Sequence, residues 1–157
     1  MSYLKAKKLT ELLTSKSMTI AVAESCTGGS LSSSLTSIPG ASSYFNCGFI
    51  TYSNESKINM LNVKSQSFEL FGAVSEKVAY EKAIGAGQNS KSDLAISVTG
   101  IAGPSGGTPE KPVGMVCFGF YVKENVSTTT QFFSGVRSEI VFESIDFALT
   151  ELISIIE

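Results

Sequence analysis

The chain has no histidine among its 157 residues. That absence excludes Ser-His-Asp and Cys-His catalysis and removes the commonest metal ligand. Cysteine is scarce as well. Cys26, Cys47 and Cys117 stand far apart, with no CxxC pair to hold zinc. An odd count, behind a start (MSYLKAKKLTELL) that is charged and amphipathic rather than signal-like, reads as free thiols in a reducing cytoplasm. No apolar run reaches the length of a membrane span. There is no block of Lys or Arg and the formal charge is −2, so neither membrane nor nucleic acid is an expected partner. Acid–base chemistry must fall to Lys, Tyr, Asp, Glu or a thiol.

What is present is globular: 43% hydrophobic and 17% charged residues, enough for one domain over 1–157 with a real core. Residues 3–16 predict a helix with Leu4, Leu9, Leu12 and Leu13 on one stripe. MTIAVAE (18–24) has the near-continuous apolar character of a strand covered on both faces. A helix after Gly28-Gly29 stops at Pro39-Gly40, and FNCGFITYS (45–53) follows as a strand. Asn54 is placed to cap a short helix through Lys57. Ser75 caps EKVAYEKAIGAGQ, and DLAISVTG (93–100) is a further strand. After the loop IAGPSGGTPEKPVG, two strands pair around Lys123-Glu124-Asn125. The final helix, 138–156, sets Glu139, Glu143, Asp146, Thr150 and Ser154 opposite Val141, Ile145, Ala148, Leu152 and Ile155. This order predicts an α/β fold, a three-layer α/β/α sandwich with a mixed, mostly parallel sheet.

In such sheets ligands gather at the carboxyl ends of strands. Three of those ends are unusual. AESCTGG sets Ser25, Cys26 and Thr27 where a strand gives way to Gly28-Gly29, whose amides suit an oxyanion or phosphate. The plainer alternative is a helix cap. TYSNESK places Tyr52 at a strand end and Lys57 early in a helix, where the helix dipole favours a neutral amine; a solvated surface lysine is the alternative. VTGIAGPSGG combines Thr99, Gly100 and Gly103 in a nest-like loop without the lysine of a phosphate-binding P-loop. A flexible turn would explain it equally well.

Together, AESCTGG, GFITYSNESK, GAVSEKVA, SVTGIAGPSGGTPEKPVG and FSGVRSE, in this order along nearly the whole chain, resemble the CinA C-terminal domain family. Its stand-alone members are nicotinamide-mononucleotide deamidases. The resemblance implies hydrolysis of the carboxamide of nicotinamide mononucleotide to nicotinate mononucleotide and ammonia, as part of pyridine-nucleotide recycling. It implies Ser25 as nucleophile, with Tyr52 and Lys57 assisting as acid and base, and it implies no metal and no cofactor. Substrate binding would fall to Thr27, Gly28, Gly29, Thr99, Gly100, Gly103 and Arg137, and the protein would be a homo-oligomer. One departure stands out: the family commonly carries a second arginine about a turn after Arg137, where this chain has Val141 and Phe142. The competing reading is a nucleotide-binding interaction module that keeps the pocket but does little chemistry.

Overall fold

The computed structural model describes residues 2–157. Helix α1 (Ser2–Ser15) leads into strand β1 (Ile20–Glu24), then α2 (Ser30–Thr36), a 3-10 turn (Ala41–Ser43) and β2 (Phe45–Ile50). Three helices follow, α3 (Asn54–Leu61), α4 (Ser65–Phe71) and α5 (Glu76–Ser90). Strands β3 (Leu94–Gly100), β4 (Met115–Val122) and β5 (Asn125–Phe132) precede the last helix, α6 (Arg137–Ile156).

The five strands form one sheet in the order β2-β1-β3-β4-β5. β1 pairs in parallel with β2 and β3, whereas β3–β4 and β4–β5 are antiparallel. The mixed sheet is thus divided evenly between parallel and antiparallel pairings, not dominated by the first. Central position explains composition: every residue of β1 is buried, as expected for a strand covered on both faces, while edge strand β2 alternates half-buried and exposed residues. The β4–β5 hairpin turns at Lys123 and Glu124, both at positive φ, as a two-residue primed turn requires.

One face of the sheet carries α1, α2 and α6 over a large apolar core built around Leu9, Leu31, Ile96, Phe118, Leu149 and Leu152. Phe118, Phe133 and Phe147 meet there in edge and tilted contacts. The other face carries α3, α4 and α5 over a smaller cluster of Ala21, Ala23, Leu61, Val78, Ala83 and Ala95. The two helical layers make the expected sandwich.

Several expectations shift in detail. Leu4 is 70% exposed, because α1 turns Ala6, Leu9, Thr10 and Leu13 inward instead. In α6 the buried stripe runs through Ile140, Ser144, Ala148, Leu149 and Ile156, while Ile155 is exposed. Helix α4 went unforeseen since its Leu70 and Phe71 are exposed and give no amphipathic pattern. The cap of α3 is Ser53, whose hydroxyl accepts the Ser56 N–H at 3.0 Å, and not Asn54, the first helical residue.

Candidate active site

β1 and β2 end side by side, and β3 lies on the other side of β1, so three loops reach the same edge of the sheet. A cavity of about 280 Å³ opens there, lined by Ser25 and Cys26 after β1, Tyr52, Asn54 and Lys57 after β2, and Thr99 to Gly103 at the end of β3 and just beyond it. Arg137 at the start of α6 and Ala73-Val74 before α5 complete the wall. Of the residues singled out from the sequence, Ser25, Tyr52, Lys57, Thr99, Gly100, Gly103 and Arg137 therefore share one pocket.

Thr27, Gly28 and Gly29 are not among its lining. Gly29 has φ +97, a left-handed conformation open to glycine, and a Cβ there would stand 2.9 Å from the Ile50 side chain. This tight turn folds the start of α2 back onto Glu24. The Glu24 carboxylate, fully buried, accepts the N–H groups of Gly29 and Leu31 at 3.0 Å and those of Ser32 at 2.8 Å (N–H) and 2.6 Å (O–H). The expected anion site at the start of α2 is consequently filled by the protein's own carboxylate. Gly28 N–H is spent on Ser25 O at 3.0 Å, and Thr27 is buried beneath the turn with its hydroxyl unpartnered. The amides of Cys26 and Thr27 make none of the backbone hydrogen bonds of this turn.

Lys57 is 1% exposed although it sits on a short surface helix. Its Nζ reaches only the Tyr52 and Ser53 carbonyls, each at 3.4 Å. Burial pushes the amine below its ordinary 10.5, opposed by Cys26 in its ionised form. Cys26 is itself held protonated, since burial lifts its thiol to about 11 against the opposing charges of Lys82 and Arg137. A poor nucleophile beside Ser25 is the result.

Arg137 spans the pocket mouth. One guanidinium nitrogen donates to Gly103 O and another to Tyr52 Oη, both at 2.7 Å. Tyr52 is exposed, and its hydroxyl faces Arg137. Thr99 Oγ1 donates to Ala73 O at 2.9 Å, tying β3 to the segment before α5. Lys111 donates to Phe71 O and, at 2.7 Å, to Val74 O, which fixes the same segment from the Gly-rich loop. Within that loop the amides of Ala102, Gly103, Ser105 and Gly106 enter no backbone hydrogen bond, leaving a row of N–H donors beside Arg137. Val141, where the family's second arginine was expected, is half-buried against the large core.

One residue escaped the sequence reading. Lys82 on α5 is 0% exposed and donates to Val98 O at 2.7 Å, directly behind the pocket's β3 wall. Burial, and after it the charge on Lys57, lower it from 10.5 to about 7. Its signal was present: Val78, Lys82 and Ala86 recur at the spacing of four that marks the inward stripe of α5. Among the described residues no three His, Cys, Asp or Glu side chains gather as a metal donor set, and no helix is long and apolar enough to cross a membrane.

A three-layer α/β/α domain with a serine, a buried lysine and an arginine around one strand-end cavity defines the class. The sequence profile of the CinA C-terminal domain matches residues 3–156, and the chain belongs to that family. It is 45% identical over 148 residues to a CinA-like protein of Petrotoga mobilis, covering 94% of this chain and 37% of the relative. A CinA-like protein of Chloroherpeton thalassium is 58% identical over 109 residues, covering 69% and 26%. The chain thus spans about a third of the length of the curated relatives it matches. Among solved structures, the competence/damage inducible protein CihA of Agrobacterium tumefaciens superposes with a TM-score of 0.96 at 37% identity, over 99% of this chain and 96% of that one. The competence or damage-inducible protein of Enterobacter asburiae gives 0.96 at 32%, over 100% and 99%.

Proposed function

We propose that this domain hydrolyses the carboxamide of nicotinamide mononucleotide to nicotinate mononucleotide and ammonia, with Ser25 as nucleophile and Lys57 as its base. The observation that carries the reading is the meeting in one cavity of Ser25, Arg137 and the buried Lys57 amine, whose pKa burial lowers. In a chain without histidine, a neutral lysine is the natural acceptor for a serine proton.

Ser25 Oγ attacks the amide carbon while its proton passes to Lys57 Nζ. The tetrahedral oxyanion is held by N–H groups of the Ser25 turn, where those of Cys26 and Thr27 make no backbone hydrogen bond. As the C–N bond breaks, Lys57 returns the proton to the departing nitrogen, which leaves as ammonia. Water then attacks the acyl-serine and gives a proton to Lys57, which returns it to Ser25 Oγ as the ester bond breaks and nicotinate mononucleotide leaves. The 5′-phosphate is read by Arg137 and the open amides of the Gly-rich loop. Tyr52, whose hydroxyl accepts from Arg137, serves the phosphate end of the pocket more than the serine end.

Ammonia release from nicotinamide mononucleotide, nicotinamide riboside and free nicotinamide tests this directly. The nucleotide should be turned over with by far the highest kcat/KM, and Ser25→Ala should cut that rate by a factor of about 10^4 or more while the protein stays folded. Equal efficiency on nucleotide and riboside, or full activity in folded Ser25→Ala, would overturn the proposal.

A further inference from the structure

The Glu24 carboxylate is buried at the end of β1, one residue before Ser25, and none of the ion pairs among the described residues includes it. Four donors hold it instead. The amides of Gly29 and Leu31 reach Oε2, and the amide and hydroxyl of Ser32 reach Oε1. All of them belong to the first turn of α2 or to the glycine before it. Hydrogen bonds to an ionised acceptor are stronger than neutral ones, so this carboxylate grips the start of the helix firmly.

The grip closes a short stretch of chain on itself. Glu24 stands before the Ser25-Cys26-Thr27 turn, and its side chain holds the residues after that turn. Between the two, Gly28 N–H donates to Ser25 O and Ser30 N–H to Thr27 O, both at 3.0 Å. The main chain of Glu24 is tied as well. Its carbonyl accepts the Thr51 N–H at 2.9 Å and the Thr51 hydroxyl at 3.3 Å, immediately before Tyr52. One residue thus joins the end of β1, the start of α2 and the segment leaving β2. Strand β2 also makes room for the arrangement: a Cβ on Gly48 would stand 2.7 Å from the Ser32 hydroxyl.

We propose that Glu24 is a positioning residue for the nucleophile: by holding the start of α2, its buried carboxylate fixes Ser25 Oγ and the amides of Cys26 and Thr27 in the geometry that acyl transfer needs. The inference rests on Ser25 acting as nucleophile in the proposed reaction. Glu24 is not among the residues lining the cavity, so it acts through the turn and not on the substrate. Glutamine has nearly the same shape but offers one acceptor oxygen and one NH2 group. Whichever way it turns, at least one main-chain N–H of α2 or Gly29 then faces a donor, and the turn must shift to relieve it. A displacement of about 1 Å at a reacting group can cost about a hundredfold in rate. Arg137 and the Gly-rich loop stand on other elements, so the phosphate end of the pocket should be untouched.

Glu24→Gln tests the inference on the whole chain. With nicotinamide mononucleotide, kcat should fall about 10- to 100-fold while KM stays within about twofold. The rate at which a fluorophosphonate probe labels Ser25, read by mass spectrometry, should fall in parallel. The Gly29, Leu31 and Ser32 amides should lose protection from hydrogen exchange. Gly48→Ala leaves the carboxylate in place and displaces only the Ser32 hydroxyl; it should lower kcat about two- to fivefold, and it carries the test if Glu24→Gln does not fold. Leu152→Ala, destabilised beneath α6, should keep the original kcat well below its melting temperature.

Unchanged kcat and labelling in folded Glu24→Gln, or in Gly48→Ala where that variant carries the test, would reduce the carboxylate to a cap of α2, and the hydrolysis would stand without it. An equal loss of kcat in Leu152→Ala would trace the effect to stability and overturn the inference. If Ser25 is labelled quickly in wild type and slowly in the variant, yet neither releases ammonia, the positioning of Ser25 is upheld and the proposed substrate is the part that fails. If Ser25 is not labelled and no ammonia appears even in wild type, there is no activated serine to position and both fall.

Discussion

The two faces of the sheet are built from different materials. Beneath α1, α2 and α6 the interior is almost wholly apolar, with Leu, Ile and Phe side chains in mutual contact. Beneath α3, α4 and α5 the apolar cluster is made largely of alanine and valine, and Lys57, Lys82 and Glu81 are buried beside it. The first face supplies most of the apolar burial that holds the domain together. The second gives up part of that gain to keep amines out of water, where their chemistry differs from that of a surface lysine. Stability and reactivity are thus drawn from opposite sides of the same five strands.

The sharpest way to break the reactive face is Lys57→Arg. Arginine keeps the charge but does not release its proton, so kcat should fall by about 10^2–10^4 in a protein that still folds. Measuring turnover beside the melting temperature separates the two effects, and an arginine variant with most of the original rate would remove Lys57 from the chemistry.

A pair of substitutions contrasts the faces through stability. Leu152→Ala, in the large core, should cost about 2–5 kcal/mol. Lys82→Met should cost little or stabilise, because it replaces a buried amine lacking a carboxylate partner. The difference should also depend on pH. Lys82 is lowered in the folded state, so between its ordinary 10.5 and about 7 the unfolded chain binds more protons than the native one. Wild type should therefore lose stability as pH falls through that window and regain it as pH rises. Denaturation of Lys82→Met over the same range should lack this part of the slope, whereas Leu152→Ala should keep it. Parallel pH curves for wild type and Lys82→Met would contradict the buried-amine account.

The smallest effect is expected at the pocket mouth. Arg137→Ala removes one charged phosphate partner, about 1.5–3 kcal/mol, which corresponds to a tenfold to hundredfold loss in kcat/KM for the nucleotide. The riboside should change much less. An equal loss on both substrates would mean that Arg137 acts by tying Tyr52 to Gly103 and not by holding phosphate.

Much of this was legible in the chain because it depends on local pattern. Continuous apolar runs marked β1 and β3, and the ends of those runs marked Ser25 and Thr99. Lys57 was found through its place early in a helix after β2, and the family resemblance drew the same residues together. What could not be read depends on side chains that turn back on their own elements. Glu24 closes an apolar strand and reads as the first polar residue beyond it; only the folded turn reveals that its carboxylate caps α2 and fills the site expected for an anion. Lys82 lies on the inward stripe of α5, yet lysine in a helix is ordinarily solvated, so charge masked position. Tyr52 was read as the end of a strand, but β2 stops at Ile50 and leaves the ring in a loop, free to meet Arg137.

The strand order has a further consequence for how the site breathes. Ser25 follows β1 and Thr99 lies near the end of β3, two of the three strands with a neighbour on each side. The paired amides of those two strands lie within the ladder and exchange hydrogen with solvent only when the sheet opens as a whole. Tyr52 follows the edge strand β2, and Arg137 begins a helix on exposed residues. Local opening reaches those two long before it reaches the centre. The serine stands one residue beyond a central, slow-opening strand, while the residues at the pocket mouth stand on the part that opens first.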